Sequence, residues 1–234
     1  MVAPYSLADG LLLQDDFISN DVVTDNNIGQ LNWQTTGIGN AGTTAYVLAS
    51  PYGVLRNTTA GTADGDGDTY HLLPDALVLG SAPGYFRFRC RYPTITGNAL
   101  AGNNFRIGLD DSVTATSPGV GIWVDSDAGV LSLQCDSADH GDNSAAVAGV
   151  PTLTSGTTMV IDTWHDFDVR WHGENAQGGP KNVHLWVDGW LAAVSVCQID
   201  NDEEVEPKIA HWQDTGGAAT LEFDIDYFEL FISR

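Results

Sequence analysis

The sequence predicts an all-β chain that folds as an antiparallel sandwich. One observation is negative: no window holds the 3.6-residue apolar periodicity of an amphipathic helix over three turns. The other is that Gly, Ser, Thr, Asn and Asp interrupt the chain about every ten residues, the turn spacing of sandwiches and jelly rolls. A hydrophobic content of 43% can fill an ordinary core, so we predict a folded domain.

The first half of the chain predicts an arm followed by short strands. Residues 1–10, with Pro4 and Gly10, are interpreted as a flexible or docking arm, and residues 11–234 as one sandwich domain. Four short stretches bounded by turn residues have the form of strands: LLLQDDFIS (11–19), LNWQTTG (31–37), AYVLAS (45–50) and YGVLRNTT (52–59).

The second half carries stronger strand patterns. GYFRFRCRY (84–92) and WHDFDVRWHG (164–173) alternate strictly between polar and apolar residues, so each has one face suited to a core. Asp188-Gly189 is the strongest short hairpin signal and joins two predicted strands over 181–196. The remaining predicted strands are NNFRIGLDD (103–111), GVGIWVDSDAG with VLSLQCDS as a hairpin (119–137), and TLEFDIDYFELFI (220–232).

The charge balance excludes several classes of partner. The net charge is −22 and the chain has only nine Lys and Arg, so it repels phosphate backbones and anionic lipid. We therefore predict neither a nucleic-acid nor a membrane partner. No apolar run approaches the roughly 20 residues that span a bilayer. The N-terminal residues lack the basic start and the apolar segment of a secretory signal, so no export by such a signal is expected.

The three cysteines are widely spaced and odd in number. Cys90, Cys135 and Cys197 give neither a disulfide framework nor the close spacing of a zinc site. Each lies in an apolar or strand-like context, so we expect buried free thiols.

Glu222, Asp224 and Asp226 alternate along the last predicted strand. On a regular strand they share one face, and two carboxyl groups about 5–5.5 Å apart serve a retaining glycosidase. In a chain with 31 acidic residues, the same pattern also describes an ordinary solvated face. The two interpretations, catalytic strand and solvated strand, stay open on spacing alone.

A second acidic series suggests a cation. Asp64, Asp66 and Asp68 stand at alternate positions among glycines, and such carboxylates can converge on Ca²⁺. Thr69 occupies the position where an EF-hand loop requires Gly, so that motif is not predicted. A calcium loop of another kind and a solvated turn remain the two hypotheses.

Tryptophan provides the candidate sugar-binding residues. Trp186 and Trp190 stand on either side of the predicted hairpin turn, and Trp212 lies farther along the chain. Exposed indole rings can stack on sugars, although tryptophan in sandwiches mostly fills the core. If they are exposed, these three residues are expected to line a carbohydrate-binding groove.

One block resembles a known fold family. WHDFDVRW followed by VHLWVDGWLAA (within 164–193) resembles the hairpin of concanavalin A-like sandwiches, which include laminarinase-type glucanases, laminin G-like domains and lectins. IDYFELF (225–231) and LLLQDDF (11–17) resemble the closing and opening strands of the same folds. The resemblance implies a jelly roll. In the glucanases the catalytic E-x-D-x-E strand lies upstream of this block, where the present chain lacks it, so the resemblance implies no hydrolase.

A second resemblance concerns residues 11–37. This stretch resembles the N-terminal region of structural proteins from tailed bacteriophages, and it implies a virion protein assembled in the host cytoplasm. The matching residues are Asp15, Asp16, Phe17, Ile18, Ser19, Ile28, Gly29, Leu31 and Trp33.

These observations lead to a predicted function with two alternatives. The prediction is a non-enzymatic decoration protein of a phage head that binds the major capsid protein as a homo-oligomer, with a trimer preferred. The alternatives are a carbohydrate-binding module of a tail or fibre, through Trp186, Trp190 and Trp212, and a glycoside hydrolase using Glu222 and Asp226. The residues predicted to dock on the partner are Tyr5, Leu11, Leu12, Leu13 and Phe17.

Overall fold

The chain forms two antiparallel sheets packed face to face, which confirms the predicted β-sandwich. A computed structural model describes residues 5–7, 10–17, 28–47, 53–61, 65–72, 77–94, 100–111, 119–137, 141–214 and 220–233. In chain order the strands are β1 (Tyr5–Leu7), β2 (Gly10–Asp15), β3 (Gln34–Ile38), β4 (Thr43–Val47), β5 (Val54–Thr58), β6 (Gly67–His71), β7 (Leu77–Val78), β8 (Gly84–Arg91), β9 (Asn103–Asp110), β10 (Gly121–Asp127), β11 (Val130–Ser137), β12 (Gly141–Ala146), β13 (His165–Glu174), β14 (Pro180–Val187), β15 (Trp190–Val196), β16 (Glu204–Gln213) and β17 (Glu222–Ser233).

The strand order mixes distant parts of the chain. The first sheet runs β1-β2-β17-β8-β13-β14-β15, with β5 also paired to β17 and β4 to β5. The second sheet runs β12-β11-β10-β9-β16-β6-β3, with β7 paired to β16. Long crossovers between sheets are typical of a jelly roll. No helix in the described part of the chain is long and apolar enough to cross a membrane.

The core lies between the sheets and is built from alternating residues. β8 buries Phe86, Phe88 and Cys90 while its intervening residues stay half-buried, as its alternation predicted. Phe88 stacks on Phe167 of β13 with ring centroids 4.5 Å apart, and Phe105 of β9 approaches both rings edge-on from the second sheet. These aromatic contacts join the two sheets at their centre.

Both predicted tight hairpins are confirmed. Asp188 and Gly189 have φ values of 52° and 81°, and Ala128 and Gly129 have values of 51° and 82°. Two successive residues with positive φ are typical of a type I′ turn, whose twist matches that of the flanking strands. The first turn joins β14 to β15, and the second joins β10 to β11.

The prediction of three free thiols is wrong for two of them. Cys135 of β11 and Cys197, which follows β15, form a disulfide with Cα atoms 5.6 Å apart. The bond joins β11 of the second sheet to the residue that follows β15 of the first sheet. It closes a separation of 62 residues, and sequence spacing alone could not reveal it. Cys90 remains a free thiol in the core, where burial raises its pKa.

Asp15 explains much of the N-terminal sequence motif. Its buried carboxylate accepts hydrogen bonds from Phe17 N at 2.7 Å, Leu31 N at 3.0 Å and Trp33 Nε1 at 3.1 Å. Gly29 has a φ of 68°, and a Cβ there would lie 2.3 Å from Asp15 Oδ2. These residues, which carry the resemblance to phage proteins, therefore have a structural role in closing the loop before β3.

The proposed docking residues divide between surface and core. Leu13 and Phe17 are buried in the core, so the prediction that their side chains bind a partner is wrong. Leu11 and Leu12 are half-buried on β2. Tyr5 opens β1, which pairs with β2 at the margin of the first sheet. Docking by the arm stays a prediction, since most of residues 1–10 lie outside the described residues.

Candidate functional site

The few cations of the chain lie mainly on the outward sides of the two sheets, which we call the first face and the second face. Seven of the nine Lys and Arg residues belong to these faces, so the positive charge is concentrated although the whole chain is strongly acidic. The first face carries Arg56, Arg87, Arg89, Arg91 and Arg170, and the second face carries Arg106 and Lys208.

Glu222, Asp224 and Asp226 form ion pairs on the first face. Asp224 is fully buried and accepts two hydrogen bonds from Arg56, at 2.6 and 2.8 Å, and one from Arg91 at 3.0 Å. Glu222 lies 2.6 Å from Arg56. The expectation of a solvated face is therefore wrong for Asp224, and these pairs do not provide a free acid and a nucleophile.

Asp226 breaks the regular alternation. The register between β17 and β8 shifts between Ile225 and Tyr227, so Asp226 is the extra residue of a β-bulge. Burial raises the pKa of Asp226, although Arg89 lies 3.5 Å away and opposes that rise. The three carboxylates thus have three different environments, which the i, i+2 spacing did not predict.

A cavity of about 480 Å³ opens on the first face. Trp186 forms part of it, and the guanidinium of Arg170 lies 5.1 Å from the Trp186 ring centroid while donating two hydrogen bonds to Asp168. Burial raises the pKa of Tyr227 to about 12, so its hydroxyl stays protonated and donates to Asp166 at 3.5 Å. The lining residues are Arg87, Asp166, Phe167, Asp168, Arg170, Trp186, Gly189 and Tyr227.

The three candidate tryptophans do not share a groove. Trp186 lines the cavity on the first face, and Trp190 is 54% exposed next to the cavity residue Gly189. Trp212 lies on β16 of the second sheet, where it pairs with Asn104 and points outward because its neighbours His211 and Gln213 point inward. The predicted groove is therefore wrong, since the residues belong to opposite sides of the sandwich.

The second face carries a group of residues that sequence reasoning missed, which we call the polar patch. They project outward from three adjacent strands, whose alternate residues fill the core. The polar patch consists of Arg106 and Asp110 on β9, Trp123 on β10, and Glu206, Lys208 and Trp212 on β16.

The centre of the polar patch is charged and buried. Glu206, Lys208 and Asp110 are each 1% exposed. The ammonium of Lys208 lies 3.3 Å from Asp110 and 4.0 Å from Glu206, and His71 Nδ1 lies 3.3 Å from the other Glu206 oxygen. Burying charges costs several kcal/mol per ion unless geometry and hydrogen bonds offset the loss of water. This arrangement offers contacts between charges but few hydrogen bonds.

Several buried polar atoms of this face make no hydrogen bond within the described part of the chain. They include Lys208 Nζ, both carboxylate oxygens of Glu206, Trp123 Nε1, Thr69 Oγ1 and Asn104 Nδ2. Buried polar groups in native proteins are almost always hydrogen-bonded to protein or to water. A cluster of them with both donors and acceptors therefore indicates a place where molecules from outside the chain complete the bonding.

Aromatic rings border this cluster. The guanidinium of Arg106 lies 5.0 Å from the ring centroid of Trp123 and 5.7 Å from that of Trp212. Arg106 also contacts Asp125 at 3.4 Å. Burial raises the pKa of Asp125. Trp123 is buried, whereas Trp212 and Asp125 are half-buried. The patch therefore has a buried polar centre and a more accessible aromatic margin.

The proposed calcium ligands are only partly described. Asp64 lies outside the described residues. Asp66 accepts hydrogen bonds from Asn40 N at 2.9 Å and from Asn40 Nδ2 at 3.1 Å, and Asp68 accepts one from Asn57. Within the described ranges no group of three or more His, Cys, Asp or Glu is arranged to hold a metal ion. The calcium site stays a prediction.

A weak sequence signal for the polar patch exists. In EVEPKIAHW (204–212), Glu206 and Lys208 alternate with Val205 and Ile209, the pattern of a strand with a charged outward side. Lys208 is also one of only two lysines. Nothing in this pattern shows that the charged side is buried, because burial depends on what lies above the strand.

Comparison with known proteins supports the fold. No family model and no curated protein matches the chain. Among solved structures, it is similar to the cellulose-induced protein Cip1, with a TM-score of 0.57, 13% identity, and coverage of 93% of this chain and 96% of that one. It is also similar to a protein of unknown function from Shewanella oneidensis MR-1, with a TM-score of 0.57, 13% identity, and coverage of 96% of this chain and 87% of that one. The receptor-binding domain of botulinum neurotoxin D matches with a TM-score of 0.57 and 13% identity, over 94% of this chain and 48% of that one.

At this identity the likeness shows the fold alone, an antiparallel jelly-roll sandwich. None of these three neighbours is named as a virion protein. The phage function, the capsid partner, the trimer and the virion location stay predictions.

Proposed function

We propose that this chain is a non-enzymatic carbohydrate-binding module and that the polar patch is its glycan site. The observation that carries the proposal is the cluster of buried donors and acceptors on the second face that form charge contacts but no hydrogen bonds. A sugar hydroxyl both donates and accepts hydrogen bonds. A site that offers Lys208 Nζ and Trp123 Nε1 as donors beside the Glu206 oxygens as acceptors therefore suits a polyhydroxylated ligand.

The margin of the patch suits the apolar side of a sugar. Trp212 is half-buried, so its ring has both packed and accessible surface. Indole rings present a large apolar body, and the C–H face of a pyranose can pack against it. Arg106, held between the two tryptophans, adds planar donors for ring oxygens and hydroxyls.

The charge of the chain favours a neutral glycan. With a net charge of −22, the surface repels sulfated or carboxylated polysaccharides at long range. The patch itself holds both signs, so it offers no strongly positive site for an anion. We therefore propose unmodified hexose or pentose chains as ligands.

Binding rather than hydrolysis is proposed because of Lys208. Its ammonium contacts the carboxylates of both Asp110 and Glu206, which supports an ion-paired set rather than a separate acid and nucleophile. Among the structural neighbours, the botulinum domain is named for receptor binding. The Cys135–Cys197 disulfide supports action in oxidising surroundings, where glycans are displayed.

A titration series tests the proposal. Cellohexaose, mannohexaose and xylohexaose are titrated separately into the parent protein by calorimetry, and binding of at least one is expected. Glu206→Gln and Trp212→Ala should each weaken binding at the polar patch at least tenfold, since they remove an acceptor and a ring of the patch. Glu204→Gln is the matched control, because Glu204 is an exposed acid on the same strand.

The result that overturns the proposal is equally defined. If none of the three sugars binds, or if both patch variants bind like the parent, the glycan site is not the polar patch. The melting temperature of each variant shows that it is folded. The bound hexasaccharide should be recovered intact after prolonged incubation, and shorter products would make the chain a hydrolase.

A further inference from the structure

We infer that the cavity on the first face is a second glycan site, so that the chain binds carbohydrate on opposite sides of the sandwich. This inference rests on the proposed function, because it assigns the same class of ligand to a separate surface. The cavity has a volume of about 480 Å³, which lies within the range of about 300–1,000 Å³ typical of ligand pockets.

The lining of the cavity combines an aromatic ring with hydrogen-bonding groups. Trp186 contributes the ring, Asp166 and Asp168 contribute carboxylates, and Tyr227 contributes a hydroxyl that stays protonated. A carboxylate can accept hydrogen bonds from two neighbouring sugar hydroxyls, and a guanidinium such as that of Arg87 can donate to them. An apolar ring beside such polar groups matches a pyranose, whose faces are apolar and whose rim is polar.

Arg170 lies over the ring and can give way. Its side chain is half exposed, and it forms an ion pair with Asp168, two residues away on the same strand. Exposed cation–π contacts are weak, so a sugar ring can replace the guanidinium on Trp186 at small cost. Arg170 would then remain beside the cavity and donate hydrogen bonds to the bound sugar.

An independent observation places apolar surface beside this cavity. Six large hydrophobic residues are strongly exposed in the described part of the chain, and four of them belong to β15, the strand at the margin of the first sheet. Leu191 pairs with Trp186 across β14 and β15, so it extends the apolar surface next to the ring. Leu191, Val194 and Val196 share the outward side of the first sheet, because they pair with Trp186, His184 and Asn182. Trp190 pairs with the core residue Val187 and is exposed at the end of the hairpin. Exposed apolar surface concentrated in this way marks a binding region.

A row of rings continues along the same face. His184 lies 5.6 Å from Trp186 and stacks on His172 at 5.1 Å between centroids. Burial, together with the neighbouring His172, lowers the pKa of His184, which favours the neutral form of that ring. A glycan chain can extend from the cavity along the stacked rings of His184 and His172.

The two sites cannot be parts of one groove. The cavity faces outward from the first sheet and the polar patch faces outward from the second, and stacked sheets lie about 10 Å apart. A chain with sites on opposite sides can bind two glycan chains at once. It would then crosslink polysaccharide and gain avidity on surfaces that display many copies.

Calorimetric stoichiometry tests the inference. The parent protein, Trp186→Ala, Trp212→Ala and the double variant are titrated with cellohexaose, mannohexaose and xylohexaose. Two sites per chain are expected for the parent, one for each single variant and none for the double variant. Trp164→Ala is the matched control, because Trp164 is also half-buried beside arginines on the first face but lies outside the cavity lining. Arg170→Ala, at an exposed position, provides a second cavity variant should Trp186→Ala fold poorly.

The outcomes separate the two proposals. If Trp186→Ala and Arg170→Ala keep the stoichiometry and affinity of the parent, the second site is overturned and the proposed function stands. If Trp212→Ala binds like the parent while Trp186→Ala abolishes binding, the polar patch is overturned, and bivalency with it. In support of bivalency, the parent should cloud a solution of soluble glucomannan or xylan, and each single variant should not.

Discussion

The two outer faces of this sandwich use charge in opposite ways. On the first face, Arg56 and Arg91 surround Asp224 with short hydrogen bonds, so the buried charges stabilise one another. On the second face, Lys208 and Glu206 are equally buried but make contacts without hydrogen bonds. Burial of charge therefore does not by itself indicate function. Buried atoms without a hydrogen bond occur on both faces, since Arg87 Nε and Arg89 Nε also lack one, but on the second face donors and acceptors of this kind cluster around Lys208 and Glu206. This cluster, rather than the charge of the face, is the basis of the proposed site.

The largest loss of stability is expected from removing the central carboxylate of the first face. Asp224→Ala should lower the free energy of unfolding by about 3–5 kcal/mol, because it leaves two arginines without their buried partner. Asp162→Asn is the control: Asp162 pairs with the same Arg91, but its side chain is 55% exposed, and Asn tolerates its φ of 60°. The control should cost less than about 1 kcal/mol. Urea unfolding measures both, and equal losses would contradict the assigned role of Asp224.

Removing the disulfide tests whether the covalent link between the two sheets is needed for stability and for glycan binding. Cys135→Ser with Cys197→Ser should lower the free energy of unfolding by about 2–4 kcal/mol, since the bond restricts a long loop of the unfolded chain. Glycan stoichiometry should not change, because neither cysteine belongs to the polar patch or the cavity. Cys90→Ser serves as the comparison for loss of a buried thiol without a bond. A double variant as stable as the parent would exclude the disulfide.

Asp188 tests the hairpin that borders the cavity. Its carboxylate accepts hydrogen bonds from Thr152, from His165 at 2.8 Å and from Asp166 N at 2.9 Å. Asp188→Ala should cost about 1.5–3 kcal/mol, because the buried ring of His165 loses its charged partner. Asp188→Asn, which keeps the shape and tolerates positive φ, should cost less. Unfolding in urea at neutral pH ranks the two variants.

The same residue gives a pH dependence. Burial acts to raise the pKa of Asp188, but the hydrogen bonds from His165, Thr152 and Asp166 N outweigh it and hold the pKa below its ordinary value. Its contribution to stability is therefore present above the unfolded pKa of about 3.9 and is lost as pH falls through the folded value. Asp188→Asn should show a shallower loss of stability below about pH 4 than the parent. If urea unfolding shows the same loss of stability below about pH 4 for the parent and for Asp188→Asn, this role of Asp188 is wrong.

The smallest expected effect on stability belongs to the second face. Glu206→Gln should change the free energy of unfolding by about 1 kcal/mol or less, because the oxygens of Glu206 accept no hydrogen bond that the fold would lose and Lys208 keeps Asp110, its nearer ion-pair partner at 3.3 Å. The same variant is expected to weaken glycan binding at least tenfold. A loss as large as that of Asp224→Ala would make the polar patch a structural network like the first face.

The sequence alone predicts the strands and turns better than it predicts the candidate site. The alternation in GYFRFRCRY and the pair Asp188-Gly189 correctly predicted strands and a hairpin, because side-chain direction and turn geometry are local properties. The spacing of Glu222, Asp224 and Asp226 predicted one shared face and missed the bulge at Asp226. A bulge depends on pairing with β8, which is far away in the sequence.

The candidate site shows the same limit more strongly. The sequence proposes Trp186 and Trp190 as candidates because they flank a recognisable turn, and it groups Trp212 with them although Trp212 lies on the other sheet. The cavity beside Trp186 and the polar patch around Lys208 join side chains from three or more strands each. The spacing of residues along the chain does not show which side chains of distant strands lie together.

Local sequence patterns are enough to predict the all-β class, the strong strands and the tight turns, and the composition gives the acidic charge. The packing of the sheets, which no local pattern reveals, encloses Asp224 between arginines, brings Cys135 to Cys197, and buries Lys208 together with Glu206. The physical reason is that strand propensity and turn geometry arise between neighbouring residues. Burial, ion pairing and hydrogen-bond satisfaction are set by groups that only the packing of the two sheets brings together.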